Sequence, residues 1–452
     1  MIFVHFTLDD APMKNNTPVY RIPFGKSFLD FQLPVGMRGT YLSSQSMEPV
    51  ADMEEAIAEA LANPINSPPL RKIAKPGHTV CLVFTDITRD SPDYLLVPAL
   101  LAELEVAGVH DQDITLLCGI GMHRPSTHEE KVVKLGQVIV DRYRIVDHEP
   151  LHGAGLKDLG STESGIPLAV NQIACEADLL IATGIVEPHQ YAGYSGGRKT
   201  AAIGAGGEQM IAYTHGPQMV DHPGTRLGKI KDNPFHQAIT EAARRAGLSF
   251  ILNVVMHGHK RTMAVLAGEP EATFEKLVKV ARQLYEVPIP RQYDVVVAGV
   301  GFPKDTNIYQ ASRAASQLFF APLCAVKDGG VFIIPAPTEE GVGQGYAERS
   351  FLETMKGADS MDSLLTKLRS GGYPPGGQRA FIMAKVLEKT NVIISGTVTP
   401  DLVRQLHMTP AADMDEAFRT ASMKMGRDDL DVLIVPQALL TLPTATPGSM
   451  GR

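Results

Sequence analysis

Two kinds of segment alternate along almost the whole chain: short apolar runs rich in β-branched residues, and longer stretches with apolar residues at helical spacing. The first kind predicts buried strands and the second predicts amphipathic helices. Strands that alternate with helices of this length usually pair in parallel, so we predict an α/β fold with largely parallel sheets flanked by helices. The predicted strands are residues 79–84, 113–119, 178–183, 250–255, 294–299, 330–335, 391–396 and 431–435, and the predicted helices are residues 92–107, 234–246, 270–286 and 311–327.

A chain of 452 residues is too long for one compact core, so we predict two domains. The junction is expected within residues 285–294, where two prolines follow a long helix and precede a new strand. This places an N-terminal domain at residues 1–287 and a C-terminal α/β domain at residues 292–430. The polar, proline-containing tail at residues 440–452 is predicted to be disordered.

Charge and composition argue against several classes of partner. The formal net charge is −8, which does not favour nucleic acid or an acidic membrane surface. No apolar run approaches the ~18 residues of a membrane-spanning helix. Asp9 and Asp10 interrupt the N-terminus where a secretory signal needs an apolar core. Four widely spaced cysteines form neither a metal motif nor a disulfide framework, so we expect a reduced, cytoplasmic protein. The oligomeric state does not follow from the sequence.

Polar residues follow the first predicted strands, at the sheet edge where α/β proteins bind ligands. Asp86, Thr88 and Arg89 come directly after strand 79–84, in a turn that leads into a helix. Such a turn presents backbone N–H groups and a guanidinium to an anion. Taken alone, the same residues are better explained as a helix cap and a surface arginine.

The loop after strand 113–119 contains a candidate acid/base residue, His123. Thr127 and Glu130 form a capping-box pattern, which places His128 in the first turn of a helix and His123 in the loop before it. A single loop histidine is also common as a solvated residue.

Residues 183–207 follow the next strand and contain seven glycines. Dense glycine lets the backbone approach a bound group closely. The segment nearly fits a phosphate-binding loop, but Arg198 stands where that motif needs glycine before Lys199. By themselves, Lys199 is compatible with a surface lysine and His215 with a histidine at a helix end.

After the first strand of the second domain, Gln310 and Arg313 are three residues apart and share a helix face. Together with a helix N-terminus they suit a carboxylate, although an exposed helix face has the same pattern. His257 and His259 form a pair that could bind a metal, but two histidines without a third ligand are unspecific.

The segment EPHQYAGYSGGRKT, followed by a histidine sixteen residues after its lysine (215 − 199 = 16), resembles the lactate racemase family. Members of this family use a nickel-pincer nucleotide, and the resemblance extends from about residue 23 to residue 435. In the family, the lysine forms a covalent thioamide with the cofactor and the later histidine coordinates nickel. The resemblance therefore implies that Lys199 is the covalent anchor and that His215 is the metal ligand.

The resemblance implies further roles and an active site in the cleft between the two domains. The implied residues are His123 and His189 as catalytic histidines, Asp86, Ile87, Thr88 and Arg89 as the cofactor-binding turn, Arg89 also as a catalytic and substrate-binding residue, and Gln310 and Arg313 as ligands of the substrate carboxylate.

The implied reaction is inversion of the α-carbon of a 2-hydroxy acid. It proceeds by reversible hydride transfer to covalently bound nickel(II) pyridinium-3,5-bisthiocarboxylic acid mononucleotide, through a 2-keto acid. The implied partners are the small-molecule 2-hydroxy acid and, during maturation, the enzymes that synthesise the cofactor.

The sequence departs from the family at three points. Arg313 stands where the family often has lysine, Ile203-Gly204 replaces a Pro-Gly pair, and the chain has no tryptophan. Arginine keeps the charge and adds a planar fork, so a sugar-acid epimerase or a dicarboxylate racemase is an alternative to a lactate racemase. Two other classes stay open: a metal-dependent hydrolase built from the same histidines, and a non-catalytic binder of hydroxy acids.

Overall fold

The protein is described by a computed structural model that covers residues 13–14, 17–151, 153–258, 261–373 and 377–446. The chain folds into two compact units. One is Ser46–Leu284, and the other joins Tyr285–Arg452 to the N-terminal segment Met1–Gln45.

The strands in the described residues are β1 (Met13–Lys14), β2 (Thr17–Pro18), β3 (Tyr20–Phe24), β4 (Ser27–Phe31), β5 (Arg38–Tyr41), β6 (Val80–Thr85), β7 (Ile114–Gly119), β8 (Arg144–Asp147), β9 (Leu156–Ser161), β10 (Pro167–Asn171), β11 (Leu179–Ile185), β12 (Pro188–His189), β13 (Gly193–Tyr194), β14 (Leu248–His257), β15 (Arg261–Gly268), β16 (Glu286–Ile289), β17 (Tyr293–Ala298), β18 (Val326–Pro335), β19 (Asn391–Ser395), β20 (Thr409–Ala411), β21 (Asp431–Val435) and β22 (Leu442–Ala445). The helices are α1 (Met53–Ala62), α2 (Leu70–Ile73), α3 (Asp93–Val106), α4 (His128–Leu135), α5 (Gln137–Arg142), α6 (Gln172–Glu176), α7 (Gly197–Lys199), α8 (Glu208–Thr214), α9 (Pro217–Asp221), α10 (Pro234–Arg245), α11 (Pro270–Tyr285), α12 (Ile308–Ala311), α13 (Arg313–Phe319), α14 (Tyr346–Lys356), α15 (Met361–Gly371), α16 (Gln378–Lys389), α17 (Pro400–Gln405) and α18 (Met414–Met425).

The unit Ser46–Leu284 is built on a sheet with the strand order β15-β14-β11-β6-β7-β8. All neighbours pair in parallel except the edge pair β14–β15. The central strands β6 and β11 are buried along their whole length, which explains why they are continuous apolar runs rather than alternating ones. Because parallel strands end at the same edge of a sheet, the loops after β6, β7 and β11 lie side by side.

The second unit contains an all-parallel sheet with the order β20-β19-β18-β17-β21-β5. From β17 the chain builds β18, β19 and β20 on one side of the sheet and β21 on the other. The end of β17 is therefore the point where the strand order reverses, which is where open α/β sheets bind ligands. Helix α12, which carries Gln310, follows this strand.

The N-terminal segment belongs to the second unit, which differs from the predicted domain at residues 1–287. Strand β5 pairs with β21 and forms the edge of that unit's sheet. Tyr20, Ile22 and Phe31 of the hairpin β3–β4 are buried in the same core. The segment groups with these distant residues because its apolar side chains have their packing partners there. The predicted junction at residues 285–294 agrees with the boundary at Tyr285.

Two other predictions are corrected. The helix expected at residues 311–327 ends at Phe319, before Pro322, whose ring disfavours helical geometry in the residue that precedes it. The predicted disorder of residues 440–452 is wrong for Leu442–Ala445, because these residues form β22 and pair with β16. Residues 447–452 lie outside the described part of the chain.

In the described ranges, none of the helices combines the length and the apolar character needed to cross a bilayer.

Candidate active site

The turn after β6 holds a carboxylate that orients a histidine. Asp86 is buried, and its Oδ2 lies 2.6 Å from Nδ1 of His123, which comes from the loop after β7. Thr88 donates a hydrogen bond of 2.8 Å to the other carboxylate oxygen. Burial opposes the charge of Asp86, but the bonds from His123 and Thr88 and the charge of Arg89 outweigh it, so its pKa is lowered. An ionised Asp86 accepts a hydrogen bond from Nδ1–H of His123, and the neutral ring then has its lone pair on Nε2.

The position of His123 follows from the sequence signal beside it. The predicted capping box is present, since the Thr127 hydroxyl accepts from the backbone of Glu130 and the Glu130 carboxylate accepts from the backbone of Thr127. Helix α4 therefore begins at His128, and His123 stays in the loop with its side chain 48% exposed. The ring is accessible to a ligand while its Nδ1 is fixed.

His189 lies in the short hairpin β12–β13, which follows β11. Its Nδ1 accepts hydrogen bonds from the backbone N–H groups of Tyr191 at 3.2 Å and Ala192 at 3.1 Å. Because Nδ1 is the acceptor, the proton of the neutral ring lies on Nε2. His123 and His189 therefore rest in opposite tautomers.

The hairpin is held by close backbone packing. Gly193 has φ +75°, and a Cβ at this position would collide with the carbonyl oxygen of Lys229. The buried side chain of Asn233 donates to the carbonyl of Tyr191 at 2.7 Å and to that of Lys229 at 2.8 Å. The loop before α10 thus fixes the hairpin that carries His189.

Lys199 ends α7 and is followed by a π-helical turn, Thr200–Gly204. Its side chain is partly buried. Burial lowers the pKa of its amine to about 7, the charge of Arg89 lowers it further, and Glu187 and Asp86 act in the opposite direction. An amine with this pKa is substantially neutral at physiological pH, which is the nucleophilic form.

Arg198, next to Lys199 in the chain, is not part of this charged group. Its buried guanidinium lies 3.7 Å from the centroid of the Phe274 ring and donates to the Thr240 hydroxyl at 2.6 Å. Arg198, which does not fit the phosphate-loop motif, therefore anchors the turn to the interior of the unit.

His215 caps the C-terminus of α8, and its ring lies edge-on to Tyr191 and Phe235, with centroid distances of 5.4 Å and 5.1 Å. Its Nδ1 donates to the carbonyl oxygen of Ile211 at 2.9 Å, which leaves Nε2 as the basic nitrogen. Burial, followed by the charge of Lys199, lowers the pKa of His215 to about 4. A neutral imidazole whose other nitrogen donates to a carbonyl is the usual form of a metal-binding histidine.

The structure brings the predicted residues of the first unit together. The charge of Arg89 acts on both Lys199 and His215, Asp86 acts on Lys199, and Phe235 contacts both His189 and His215. Ile87 is exposed at the tip of the turn. Among the described residues, there is no group of three or more His, Cys, Asp or Glu side chains arranged around a metal position.

Gln310 and Arg313 lie in the second unit, where Arg313 Nη1 donates to Gln310 Oε1 at 3.2 Å. Asn307 caps α12 by accepting from the backbone of Gln310 at 2.9 Å. The two residues are adjacent as predicted, although α12 and α13 are separate helices that meet at Ser312. Of the histidine pair, His257 is buried at the end of β14, and His259 lies outside the described residues.

Sequence reasoning missed the residues that support the site, such as Asn233, Phe235 and a buried pair formed by Lys134 and Asp93. No local pattern marks Lys134 as buried, because a lysine near the end of a short amphipathic helix is ordinarily solvated.

Comparison with known proteins gives the family. The model of the lactate racemase N-terminal domain matches residues 24–228, and the model of the lactate racemase C-terminal domain matches residues 290–441. The chain belongs to the lactate racemase family. As a family member it is an isomerase of the racemase type.

Relatives within the lactate racemase family span nearly the whole chain. The lactate racemase of Thermoanaerobacterium thermosaccharolyticum is 31% identical over 421 residues, which are 92% of this chain and 97% of that protein. The lactate racemase of Lactiplantibacillus plantarum is 32% identical over 387 residues, 85% of this chain and 90% of that protein.

The fold agrees with solved structures. The lactate racemase apoprotein from T. thermosaccharolyticum superposes with a TM-score of 0.83 at 31% identity, over 94% of this chain and 99% of that chain. A protein from Thermotoga maritima, at 22% identity, shares the fold with a TM-score of 0.62 over 87% of this chain and 98% of that chain.

Proposed function

We propose that this member of the lactate racemase family inverts the α-carbon of a 2-hydroxy acid with the help of a covalently attached nickel-pincer nucleotide. The observation that carries the proposal is that two residues lie within electrostatic reach of each other. One is Lys199, whose amine has a pKa of about 7, and the other is His215, a neutral imidazole suited to metal binding. Both lie within the electrostatic reach of Arg89.

The residues present fit the cofactor. Lys199 offers a nucleophilic amine for the covalent bond, and His215 offers Nε2, a donor type that nickel accepts. The turn Asp86–Arg89 presents a guanidinium for an anionic group. A single protein ligand suffices for nickel if the cofactor provides the other donors, so a three-residue metal cluster is not required. When bound, the cofactor supplies reversible hydride acceptance.

The acid/base work falls to the two histidines. The α-proton of a 2-hydroxy acid is too weakly acidic for easy removal, whereas oxidation to a planar 2-keto acid allows reduction on either face. In the resting tautomers, Nε2 of His123 accepts the hydroxyl proton and Nε2–H of His189 donates a hydrogen bond. For the opposite enantiomer, His189 takes the proton, which requires its Nδ1 to leave the two backbone N–H groups.

The remaining polar residues hold the substrate. Arg89 stabilises the charge that develops on the reacting oxygen. Gln310 and Arg313 bind the carboxylate, so that reorganisation is confined to the α-carbon. Their mutual hydrogen bond at 3.2 Å keeps the two groups on one side of the substrate carboxylate.

The substrate class follows from two considerations. Lactate is supported as the substrate because both relatives are named lactate racemases. Arg313, in place of the lysine common in the family, adds a bidentate fork, and the chain has no tryptophan. We therefore propose a dicarboxylate or a sugar acid as the second candidate. A racemisation screen of lactate, malate, 2-hydroxyglutarate and aldonic acids with cofactor-loaded protein tests both.

Lys199→Ala tests the anchor. Protein produced together with the cofactor-synthesis enzymes should show no covalent mass addition in intact mass spectrometry, whereas the matched variant Lys131→Ala should show the full addition. Complete addition in Lys199→Ala would refute the assignment.

His123→Ala and His189→Ala test the two-histidine scheme. Each should lower kcat by roughly 10²- to 10⁴-fold, the usual contribution of a general acid or base. An unchanged rate in either variant contradicts the scheme. A metal-dependent hydrolase would instead show chelator-sensitive hydrolysis, and a non-catalytic binder would retain binding without either histidine.

A further inference from the structure

A buried ion pair lies beneath the Asp86–Arg89 turn. The ammonium of Lys134, near the end of α4, is 2.8 Å from Oδ2 of Asp93, the first residue of α3. The side chains are only 7% and 0% exposed, respectively. Lysine and aspartate are seldom buried so completely, and the proposed reaction does not use either residue.

The other partners of the Lys134 ammonium lie between the end of β6 and the start of α3, within residues 85–91. They are the Thr85 hydroxyl at 3.0 Å, the carbonyl oxygen of Arg89 at 3.1 Å and the carbonyl oxygen of Ser91 at 3.0 Å. Because a carbonyl held in one direction fixes its peptide plane, Lys134 determines the backbone geometry immediately after Arg89.

Asp93 extends the cluster to a second site segment. Its Oδ1 accepts from the hydroxyls of Ser91 at 3.0 Å and Thr183 at 2.7 Å, and its Oδ2 accepts from Thr85 at 2.5 Å. Thr183 belongs to β11, the strand that leads into the hairpin with His189. The pair therefore joins the turn after β6 to the strand beside it.

Stability does not account for such a cluster. Burying two charges costs several kcal/mol each before their attraction repays it, and an apolar pair of similar volume is often equally stable or more stable. Apolar side chains could not replace the hydrogen bonds that Lys134 donates to the carbonyl oxygens of Arg89 and Ser91. The distinctive effect of the pair is thus on the geometry of the turn.

Arg89 is the residue whose placement depends most on that geometry. Arg89 is exposed, and its charge acts on Lys199 and His215. A small change in the peptide plane after Arg89 would move the guanidinium away from the reacting group.

We propose that the Lys134–Asp93 pair is a positioning device for Arg89, which holds the 85–93 turn so that the guanidinium meets the reacting oxygen of the substrate. This inference rests on the proposed function. Lys134 acts only through Arg89 and does not itself touch the substrate or the cofactor.

The first experiment separates positioning from stability. Lys134→Met should lower the melting temperature, because it leaves Asp93 buried without its counterion. The double variant Lys134→Met/Asp93→Asn has no buried charge and should recover most of the melting temperature. We expect kcat, normalised to the loaded fraction from intact mass, to stay about 10- to 100-fold low in both with little change in KM. Recovery of wild-type kcat in the double variant would overturn the proposal.

The second experiment tests whether the effect passes through Arg89. In an Arg89→Ala background, Lys134→Met should lower kcat no further, because the residue that it positions is gone. Fully additive losses would contradict the proposal. Lys131→Met is the matched control, since Lys131 lies on the same helix as Lys134 and pairs with Asp147 at 2.7 Å. It should keep wild-type kcat.

The role of Arg89 and its positioning by Lys134 can be tested separately. If Arg89→Ala alone leaves racemisation unchanged, the proposed role of Arg89 is wrong and the positioning inference falls with it. If Arg89→Ala is impaired and Lys134→Met is not, only the positioning inference is wrong.

Discussion

At the residue scale, the charge state of Lys199 is set by competing neighbours. Burial and Arg89 favour the neutral amine, and Glu187 and Asp86 favour the ammonium. Because the folded pKa of about 7 lies below the ordinary lysine pKa of 10.5, the unfolded chain binds more protons between these values. The contribution of Lys199 to stability therefore rises with pH across this window and decreases as the pH falls towards 7.

Amine labelling of protein without cofactor measures this balance directly. Reductive methylation of Lys199, followed by peptide mass spectrometry, should rise with a midpoint near pH 7, and exposed lysines serve as the internal reference. Arg89→Met should move the midpoint upward, because a positive neighbour is lost, and Glu187→Gln should move it downward. A wild-type midpoint indistinguishable from that of exposed lysines would disprove the assigned environment.

The candidate residues of the first unit could be predicted because strand ends are visible in the sequence. Asp86, His123 and His189 each follow a buried apolar run, and parallel pairing brings such ends to one edge. The opposite tautomers of His123 and His189 were not predictable, because they depend on hydrogen-bond partners supplied by the folded loops. The same holds for Lys134, whose four oxygen partners belong to Thr85, Arg89, Ser91 and Asp93, all distant from it in the sequence.

At the element scale, most buried strands of the two six-stranded sheets were predicted, whereas the shortest strands and the helices α1, α14, α15, α16 and α18 were not. Buried strands such as β6 and β11 have a strong local signal, and their observed bounds differ from the predicted ones by one or two residues. The two-residue strands β12 and β13 are too short for any periodicity. Their geometry comes from a positive φ at Gly193 and from the loop that packs against it.

Gly193→Ala tests the packing of this hairpin. Positive φ costs an L-residue ~1–2 kcal/mol, and the collision with Lys229 adds overpacking of ~1–3 kcal/mol. We expect roughly 2–5 kcal/mol lower stability by urea unfolding, together with reduced racemisation, since His189 lies in the same hairpin. Gly165→Ala is the matched control, because Gly165 has φ +81° with nothing within 4 Å of an added Cβ. Equal losses in both variants would show that strain alone is responsible.

At the scale of the whole molecule, the second unit is assembled from two distant parts of the chain. The sequence gives a clear local signal for the junction near Tyr285 but none for the partner of β5. Nothing in the residues around Arg38–Tyr41 specifies β21, because strand pairing is decided by which sheet edge is available after folding. This is why the predicted first domain included residues that the structure assigns elsewhere.

A fragment comparison tests this arrangement. Tyr285–Arg452 alone lacks the buried side chains Tyr20, Ile22 and Phe31. At about 1.5–3 kcal/mol each, their loss amounts to roughly 5–9 kcal/mol, which is comparable with the whole stability of a typical domain, about 5–15 kcal/mol. The fragment should not unfold cooperatively in a thermal melt followed by circular dichroism. Linking Met1–Gln45 to it through a flexible spacer should restore a cooperative transition, and equal behaviour of the two fragments would contradict the assignment.

The pairing of β5 with β21 also dictates an order of events during synthesis. Arg38 and Asp431, which form a side-chain hydrogen bond across these strands, are 393 positions apart. At ~5–20 residues per second, a ribosome needs roughly 20–80 s to add the intervening chain. During that interval β5 cannot pair with β21, and the whole of Ser46–Leu284 leaves the ribosome. The unit that carries Lys199 and His215 is therefore synthesised as an insertion within the other, and it has all of its own strands before its neighbour has the last strand of its sheet.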